Sequence, residues 1–202
     1  WQYLGRDGKT WLNTALPTGR RQTLELGIQP DGNNPYGWTY RCVVTTSNSC
    51  YEVPAAYSAS TGPVGKGTAA LSGALSTYAP SVNSAVKATV SGVPNAGTNK
   101  LTYTWAVADS ASAATWTTVK TTSGTTSTSD SYTPTPAVAG KYLRCTVSGE
   151  NAYYVLTSCA RTSTAGIAQG ELATGSAAVT LSGEAAYGQT LTAKAAGLPA
   201  GA

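Results

Sequence analysis

The chain has 202 residues, a formal net charge of +4 and no histidine, which excludes an imidazole base, a Ser-His-Asp triad and a histidine metal ligand. Nine scattered acidic residues leave few groups for acid–base catalysis, so we expect a protein that is not an enzyme and has no cofactor or metal site. The 13 lysines and arginines form no basic stripe, and no apolar run approaches the roughly 18 residues of a membrane helix, so neither nucleic acid binding nor membrane insertion is expected.

The residue types favour an all-β protein. Leucine, isoleucine, valine and phenylalanine together make up only 30 of the 202 residues, whereas threonine and serine supply 52 and tyrosine supplies 12. Threonine, valine and aromatic residues suit a pleated, half-buried strand surface. No segment has a helical period, and we therefore predict strands throughout.

Three landmarks near the beginning of the chain recur about 104 residues later, which indicates an internal repeat. They are Trp1 with Trp105, Trp11 with Trp116, and Arg41-Cys42 with Arg144-Cys145, at offsets of 104, 105 and 103 residues. A further match joins residues 88–94 to residues 193–199 at an offset of 105. A third repeat therefore begins by about residue 175.

The repeat divides the chain into three segments. Residues 1–62 supply the later strands, third to seventh, of one repeat; residues 63–170 form a complete repeat; and residues 171–202 supply the first two strands of another. The chain is thus expected to be a window, about two repeats long, on a longer array. Because each end holds only part of a repeat, it would leave apolar faces and strand edges uncovered.

Seven strands are predicted in the complete repeat from short alternating runs bounded by glycine, proline, asparagine and serine. They lie near 67–74, 84–92, 100–108, 113–120, 128–134, 141–149 and 153–162. In the second of them, Val86, Ala88 and Val90 alternate with Lys87 and Thr89, which places one apolar face inward.

The strand landmarks carry a resemblance. Trp105 lies in the third strand, the run Gly140-Lys141-Tyr142-Leu143-Arg144-Cys145 lies in the sixth, and the turn Tyr-Thr-Pro-Thr-Pro-Ala-Val-Ala at 132–139 precedes it. This pattern resembles the immunoglobulin-like repeats of bacterial surface proteins and adhesins. The resemblance implies tandem immunoglobulin-like β-sandwiches, one complete and two partial, on an extracellular bacterial cell surface. The second strand departs from antibody domains because it has no cysteine.

Four cysteines allow three pairings, and the repeat favours one of them. Each repeat has a cysteine on the sixth strand and another shortly after it, with spacings of 8 and 14 residues. Even spacings suit directly opposite positions in a hairpin, so we predict disulfides Cys42–Cys50 and Cys145–Cys159 and an oxidising compartment. The alternatives are a zinc site, which lacks a Cys-x-x-Cys pair, and reduced thiols in a cytoplasmic protein.

Aromatic residues are the candidates for a binding surface. Trp38 has no counterpart in the complete repeat, where Lys141 takes its place, so it is the tryptophan expected at the surface. Tyr153 and Tyr154 follow a loop and could form a recognition tip, although packing within a strand is the simpler interpretation. Trp1 and Trp105 are expected to fill the core. Trp11 and Trp116, one strand later, could lie in the core or at the surface, and the core is the favoured interpretation.

The function predicted from the sequence is that of a non-catalytic extracellular structural or adhesive protein, a surface stalk or filament. Its partial repeats would be completed by neighbouring copies, residues 171–202 of one against residues 1–62 of another, or by continuation of the chain. The alternative is a carbohydrate- or host-protein-binding module appended to a secreted enzyme. In that case Trp38, Tyr153 and Tyr154 would contact a host glycan or protein.

Overall fold

The computed structural model of the chain describes residues 1–5, 7–15, 20–26, 35–46, 50–95, 97–170 and 178–197. These residues form strands and contain no α-helix, which confirms the predicted all-β class. The strands are β1 (Gln2–Leu4), β2 (Trp11–Asn13), β3 (Tyr40–Arg41), β4 (Val43–Val44), β5 (Ala56–Tyr57), β6 (Gly67–Ala70), β7 (Ser72–Leu75), β8 (Val86–Ser91), β9 (Lys100–Ala108), β10 (Thr117–Thr125), β11 (Ser129–Tyr132), β12 (Tyr142–Glu150), β13 (Tyr154–Thr157), β14 (Cys159–Thr162), β15 (Ala178–Ser182) and β16 (Thr192–Ala196). A single turn of 3-10 helix spans Pro136–Val138.

The chain divides into two compact units. The first unit consists of Trp1–Ala70, Val93–Asn99 and Glu150–Thr157. The second unit consists of Leu71–Gly92, Lys100–Gly149 and Ser158–Ala202. Residues 178–197 of the predicted segment 171–202 lie in the second unit, and residues 171–177 and 198–202 fall outside the described residues.

The second unit holds two sheets whose inner faces form its core. A four-stranded sheet has the order β10-β9-β12-β14, and a three-stranded sheet has the order β11-β8-β7. Strand β8 alternates as predicted, with Val86, Ala88 and Val90 buried and the residues between them exposed. From β9, the side chains of Tyr103 and Trp105 are fully buried. The alternation follows from the two-residue period of a strand, which sends every second side chain to the same face.

Two of the predicted strands divide. Residues 67–74 form β6, which pairs in parallel with β13, and β7, which pairs antiparallel with β8. The buried Leu71 lies at the break between them. Residues 153–162 divide in the same way into β13 and β14. Each stretch therefore contributes to two different sheets, as strands do at the corners of packed sheets.

The predicted fourth strand is displaced. It was expected over 113–120, whereas β10 begins at Thr117 and continues to Thr125. The residues before it form a turn, in which the indole N–H of Trp116 donates to the carbonyl of Ala113 at 2.8 Å. Because this turn takes up the first four residues of the predicted span, the strand starts later.

Both predicted disulfides are wrong. All four cysteines are thiols, and Cys145 lies opposite Arg161 while Cys159 lies opposite Val147. The two cysteines of this hairpin are thus two residues out of register, which is the spacing of diagonal neighbours and not of a directly opposed pair. Burial raises the pKa of the Cys145 thiol to about 12.

The predicted Cys42–Cys50 disulfide is absent because the strand pairing does not place these two residues opposite each other. Strand β4 pairs with β5, so that the position across from Cys42 is Ser58, whose backbone N–H donates to the Cys42 carbonyl at 3.0 Å. Cys50 comes before β5 begins and is exposed. The even spacing of 8 residues therefore does not place Cys50 on the partner strand.

Strands β15 and β16 form a two-stranded hairpin. They pair antiparallel from Ala178 with Ala196 to Ser182 with Thr192. Every residue of the two strands is exposed, including Val179 at 73% and Leu181 at 72%. The hairpin thus presents apolar side chains to solvent.

Candidate functional site

The two units contain sheets with the same strand order. In the first unit β1 lies between β2 and β3, and in the second β9 lies between β10 and β12. The register also agrees. Gln2 pairs with Asn13 in the first unit, and in the second unit Ala106, which comes 104 residues after Gln2, pairs with Thr118. We refer below to residues in corresponding places of these sheets as matching positions, beginning with Trp1 and Trp105.

An arginine stacks on a tryptophan at matching positions in both sheets. The Arg41 guanidinium carbon lies 4.3 Å from the centre of the Trp11 ring and 4.4 Å from the centre of the Tyr57 ring. The Arg144 guanidinium carbon lies 4.2 Å from the Trp116 ring. The expectation that these tryptophans fill the core is wrong, since both are half-buried and cover the outer face.

The two arginine stacks differ in their remaining partners. The Nε of Arg41 donates to Gln2 Oε1 at 2.9 Å, whereas the matching Nε of Arg144 is buried without a hydrogen bond. The reason lies in the matching residues, because Ala106 takes the place of Gln2. Ala160, opposite Thr146, likewise takes the place of Tyr57, which lies opposite Val43.

Replacing Ala160 by tyrosine is expected to stabilise the second unit. A ring at this exposed position would complete the arginine sandwich seen at Arg41, and we expect the free energy of unfolding to rise by about 0.5–1 kcal/mol. Urea denaturation measures the change. In an Arg144→Met background the same substitution should add nothing, and an equal gain there would assign the effect to apolar contact instead.

The inner face of the second unit is closed by polar contacts as well as by packing. The indole N–H of Trp105 on β9 donates to Asp130 Oδ2 on β11 at 2.8 Å, and Lys120 Nζ lies 2.9 Å from the same oxygen. The Tyr103 hydroxyl donates to the Ser127 carbonyl at 2.9 Å. Burial raises the pKa of Tyr103 to about 12, so the hydroxyl stays protonated. The two Asp130 contacts join the four-stranded sheet to the three-stranded sheet, and the Tyr103 contact holds the connection between β10 and β11.

The matching face in the first unit is open. Trp1, Cys42 and Val44 line a groove of about 760 Å³, which also has Arg20 and Arg21 on its wall. Val44 is 62% exposed, whereas Val147 at the matching position is 3% exposed. We call this feature the open groove. The residues that line it include none from β5, β6 or β13, the other described strands of the first unit apart from β1 to β4.

The open groove occupies only part of its sheet face. Tyr40, which matches Leu143, is buried at 3% exposure. Its carbonyl accepts the backbone N–H of Thr61 at 2.8 Å, and its own backbone N–H donates to Thr61 Oγ1 at 3.0 Å. The indole N–H of Trp1 donates to the Arg21 carbonyl at 2.9 Å. The opening is therefore at the end of the face that holds Trp1, Cys42 and Val44.

The aromatic residues predicted as a binding surface all pack against neighbours in the first unit. Trp38 is half-buried and stacks on Tyr3 with ring centres 4.6 Å apart. Tyr153 lies 6.2 Å from the Tyr36 ring. Tyr154 covers Gly67, where an added Cβ would meet the ring at 3.0 Å. The three candidates thus have separate packing partners.

Asn151 holds the segment that carries the two tyrosines, and sequence reasoning missed it. Its Oδ1 accepts the backbone N–H groups of Tyr153 and Tyr154 at 2.8 and 3.0 Å, and its Nδ2 donates to Asn99 Oδ1 at 2.9 Å. The side chain is 4% exposed. Lys66 Nζ also donates to the Asn151 carbonyl. An asparagine shortly after the predicted sixth strand was the available signal, since asparagine often bonds to nearby backbone N–H groups.

Neither a metal centre nor a membrane helix is found in the part of the chain that the structure describes. No group of three or more cysteine, aspartate or glutamate side chains there could hold a metal ion. No helix there is long and apolar enough to cross a membrane.

Comparisons with protein-family models, with curated proteins and with solved structures found no match to this chain.

Proposed function

We propose that the chain is part of a non-catalytic, extracellular repeat protein, built of tandem immunoglobulin-like sandwiches that form a stalk or fibre on a bacterial surface. The observation that carries the proposal is the recurrence of one sheet with one register and one arginine–tryptophan stack in both units. A module repeated in tandem provides length, which is what a stalk requires. Partial repeats would be completed by neighbouring copies or by continuation of the chain.

The resemblance to immunoglobulin-like repeats of bacterial surface proteins supports the proposed extracellular location. The cysteines are thiols and do not contribute to it. The second unit has a buried core around Trp105, and the Asp130 contacts join its two sheets. Such a unit needs no disulfide to close its two sheets.

The alternative function is a glycan- or host-protein-binding module. A binding platform of this kind needs exposed aromatic rings that share one surface. Trp38, Tyr153 and Tyr154 are half-buried, and each packs against a different partner. This packing favours the structural role over the binding role.

Small-angle X-ray scattering of genetically joined copies tests the proposal. One, two and three copies of the 202-residue chain would be expressed as single polypeptides. We expect the maximum dimension to grow by a constant increment with each added copy, because a stalk is a one-dimensional array of units. Increments that shrink with copy number would show a collapsed particle and would contradict the proposal.

The same proteins test the alternative on a glycan array. Binding that is lost on Tyr153→Ala, with the increment in length unchanged, would favour the binding module. The matched control is Tyr51→Ala, since Tyr51 is 75% exposed and is not among the candidates.

A further inference from the structure

We propose that the open groove of one copy binds the β15–β16 hairpin of a second copy. This inference rests on the proposed function and names the segment and the surface that would join two chains. The evidence for it is the β7–β8 hairpin of the second unit, which shows how a hairpin of this type packs on a sheet of this type.

The two hairpins have the same register. In the β7–β8 hairpin Ser72 pairs with Ser91 and Leu75 pairs with Ala88. In the β15–β16 hairpin Ala178 pairs with Ala196, and Leu181 pairs with Ala193. The two hairpins therefore align along their whole paired length. Leu181 and Ala193 match Leu75 and Ala88.

The matching faces differ in what covers them. Val86, Ala88 and Val90 on β8 are at most 7% exposed, and Leu75 on β7 is also buried. Their counterparts on the second hairpin are all exposed. They are Leu191, Ala193, Ala195 and Leu181, with Leu181 at 72% and Leu191 at 52% exposure. Because a strand sends alternate residues to one side, these apolar side chains share a face that has nothing packed on it in the described residues.

The residues of the open groove lack the packing that their matching residues have in the second unit. In the second unit Trp105, Cys145 and Val147 are at most 3% exposed, and the sheet that contains the β7–β8 hairpin supplies the facing layer. Cys159 of the same four-stranded sheet approaches Gly73 on β7, where an added Cβ would meet its sulfur at 3.2 Å. In the first unit the matching Trp1, Cys42 and Val44 line a groove. The β15–β16 hairpin thus has an apolar face with no described sheet packed against it. The sheet face at the open groove has no described hairpin packed against it.

The joint would be head-to-tail. The groove and the hairpin belong to different parts of the chain, and residues 71–170 lie between them in sequence. A heterologous contact of this kind generates a ring if it closes and an open chain of molecules if it does not. A second copy is therefore an occupant that extends the array without any covalent link.

A complementation experiment on the full chain tests the proposal. Val44→Asp places a charge in the groove, and Leu181→Asp places a charge on the hairpin face. We expect wild-type protein to associate with rising concentration in analytical ultracentrifugation, and each variant alone to associate at least tenfold more weakly. An equimolar mixture of the two should form a one-to-one dimer that grows no further, because it contains one intact groove and one intact hairpin.

Alkylation of Cys42 followed by mass spectrometry provides a second measurement. Its rate in wild-type protein should fall at least tenfold as the concentration rises through the association range, because the hairpin would cover the thiol. The control is Thr180→Asp, on the opposite face of the hairpin, which should keep both the association and the protection. Val44 and Leu181 are 62% and 72% exposed, so their aspartate variants should unfold like wild-type in monomeric form.

Several results would overturn the proposal. It is wrong if wild-type protein stays monomeric, if the mixture of variants stays monomeric, or if Cys42 is protected independently of concentration, which would mean that the hairpin binds within its own chain. It is also wrong if an anionic polysaccharide protects Cys42 while a second copy does not, since Arg20 and Arg21 would then mark a ligand groove. If single chains are monomeric while joined copies still lengthen by constant increments, the docking fails and the proposed function stands.

Discussion

Replacing Trp105 by alanine is expected to lower the free energy of unfolding of the second unit by about 3–5 kcal/mol, the cost of removing a buried aromatic side chain from a packed core. Trp105 is fully buried, lies 5.9 Å from the Tyr132 ring and donates its indole N–H to Asp130. The substitution would leave a cavity between the two sheets. It would also leave the half-buried Asp130 carboxylate with one hydrogen bond fewer.

Trp1→Ala is the matched control. Trp1 holds the matching position but is half-buried and lines the open groove, so its loss creates no enclosed cavity. We expect its effect on stability to be about 1 kcal/mol. Urea denaturation followed by far-ultraviolet circular dichroism compares the two variants without relying on tryptophan fluorescence. Equal losses for both would mean that the groove is closed in solution, or that the inner face of the second unit is not a packed core.

Replacing Asp130 by asparagine is expected to destabilise the second unit by about 2 kcal/mol at neutral pH, the range of a hydrogen bond to a charged group. The carboxylate is 14% exposed and receives Lys120 Nζ through both oxygens, at 3.0 and 2.9 Å. An asparagine could still accept from the Trp105 indole. It could not balance the charge of Lys120, and it would place an amide N–H₂ group where a second acceptor is needed.

The pH dependence of the same variant has a definite sign. Burial acts to raise the pKa of Asp130, but the hydrogen bonds from Lys120 and Trp105 outweigh it and hold the pKa below its ordinary value. A carboxylate whose pKa is lower in the folded state stabilises the protein above its unfolded pKa of about 3.9. That contribution is lost as the pH falls through the lower folded value. Wild-type stability should therefore fall more steeply in acid than that of Asp130→Asn.

Asp7 provides the control for this acid transition. Hydrogen bonds from the side chain of Thr10 and from the backbone of Lys9 and Thr10 lower the pKa of Asp7 to about 2. It belongs to the first unit, so Asp7→Asn should leave the acid unfolding of the second unit unchanged. If Asp130→Asn and wild-type protein lost stability in parallel below pH 4, the pair with Lys120 would not be the source of the pH dependence.

The cysteines illustrate why long-range register escapes sequence reasoning. The even spacing of Cys145 and Cys159 predicts the same facing correctly for a hairpin, because facing depends only on the two-residue period. The partner residue depends on where the connecting segment turns. That segment breaks into β13 and β14, so Cys159 is displaced to a position opposite Val147.

The tryptophans illustrate a second limit. Trp105 was expected in the core and is fully buried there, while Trp116, one strand later, was expected in the core and covers Arg144 on the outer face. The two-residue period of a strand predicts which residues lie on the same face, but it does not predict which of the two faces is buried. For Trp116 that is decided by the turn before β10 and by the arginine that its ring covers.

The features that local chemistry decides could be read directly from the residues: the all-β class, the position of the third strand at 100–108, and the inward alternation of Val86, Ala88 and Val90. They depend on neighbouring side chains and on a period of two. The cysteine register, the division of the first and last strands, the Asn151 contacts and the open groove depended on tertiary structure. Each arises from contacts between residues far apart in the chain. The free-energy cost of bringing such residues together depends on the length and structure of all the chain that connects them, so the local sequence does not decide it.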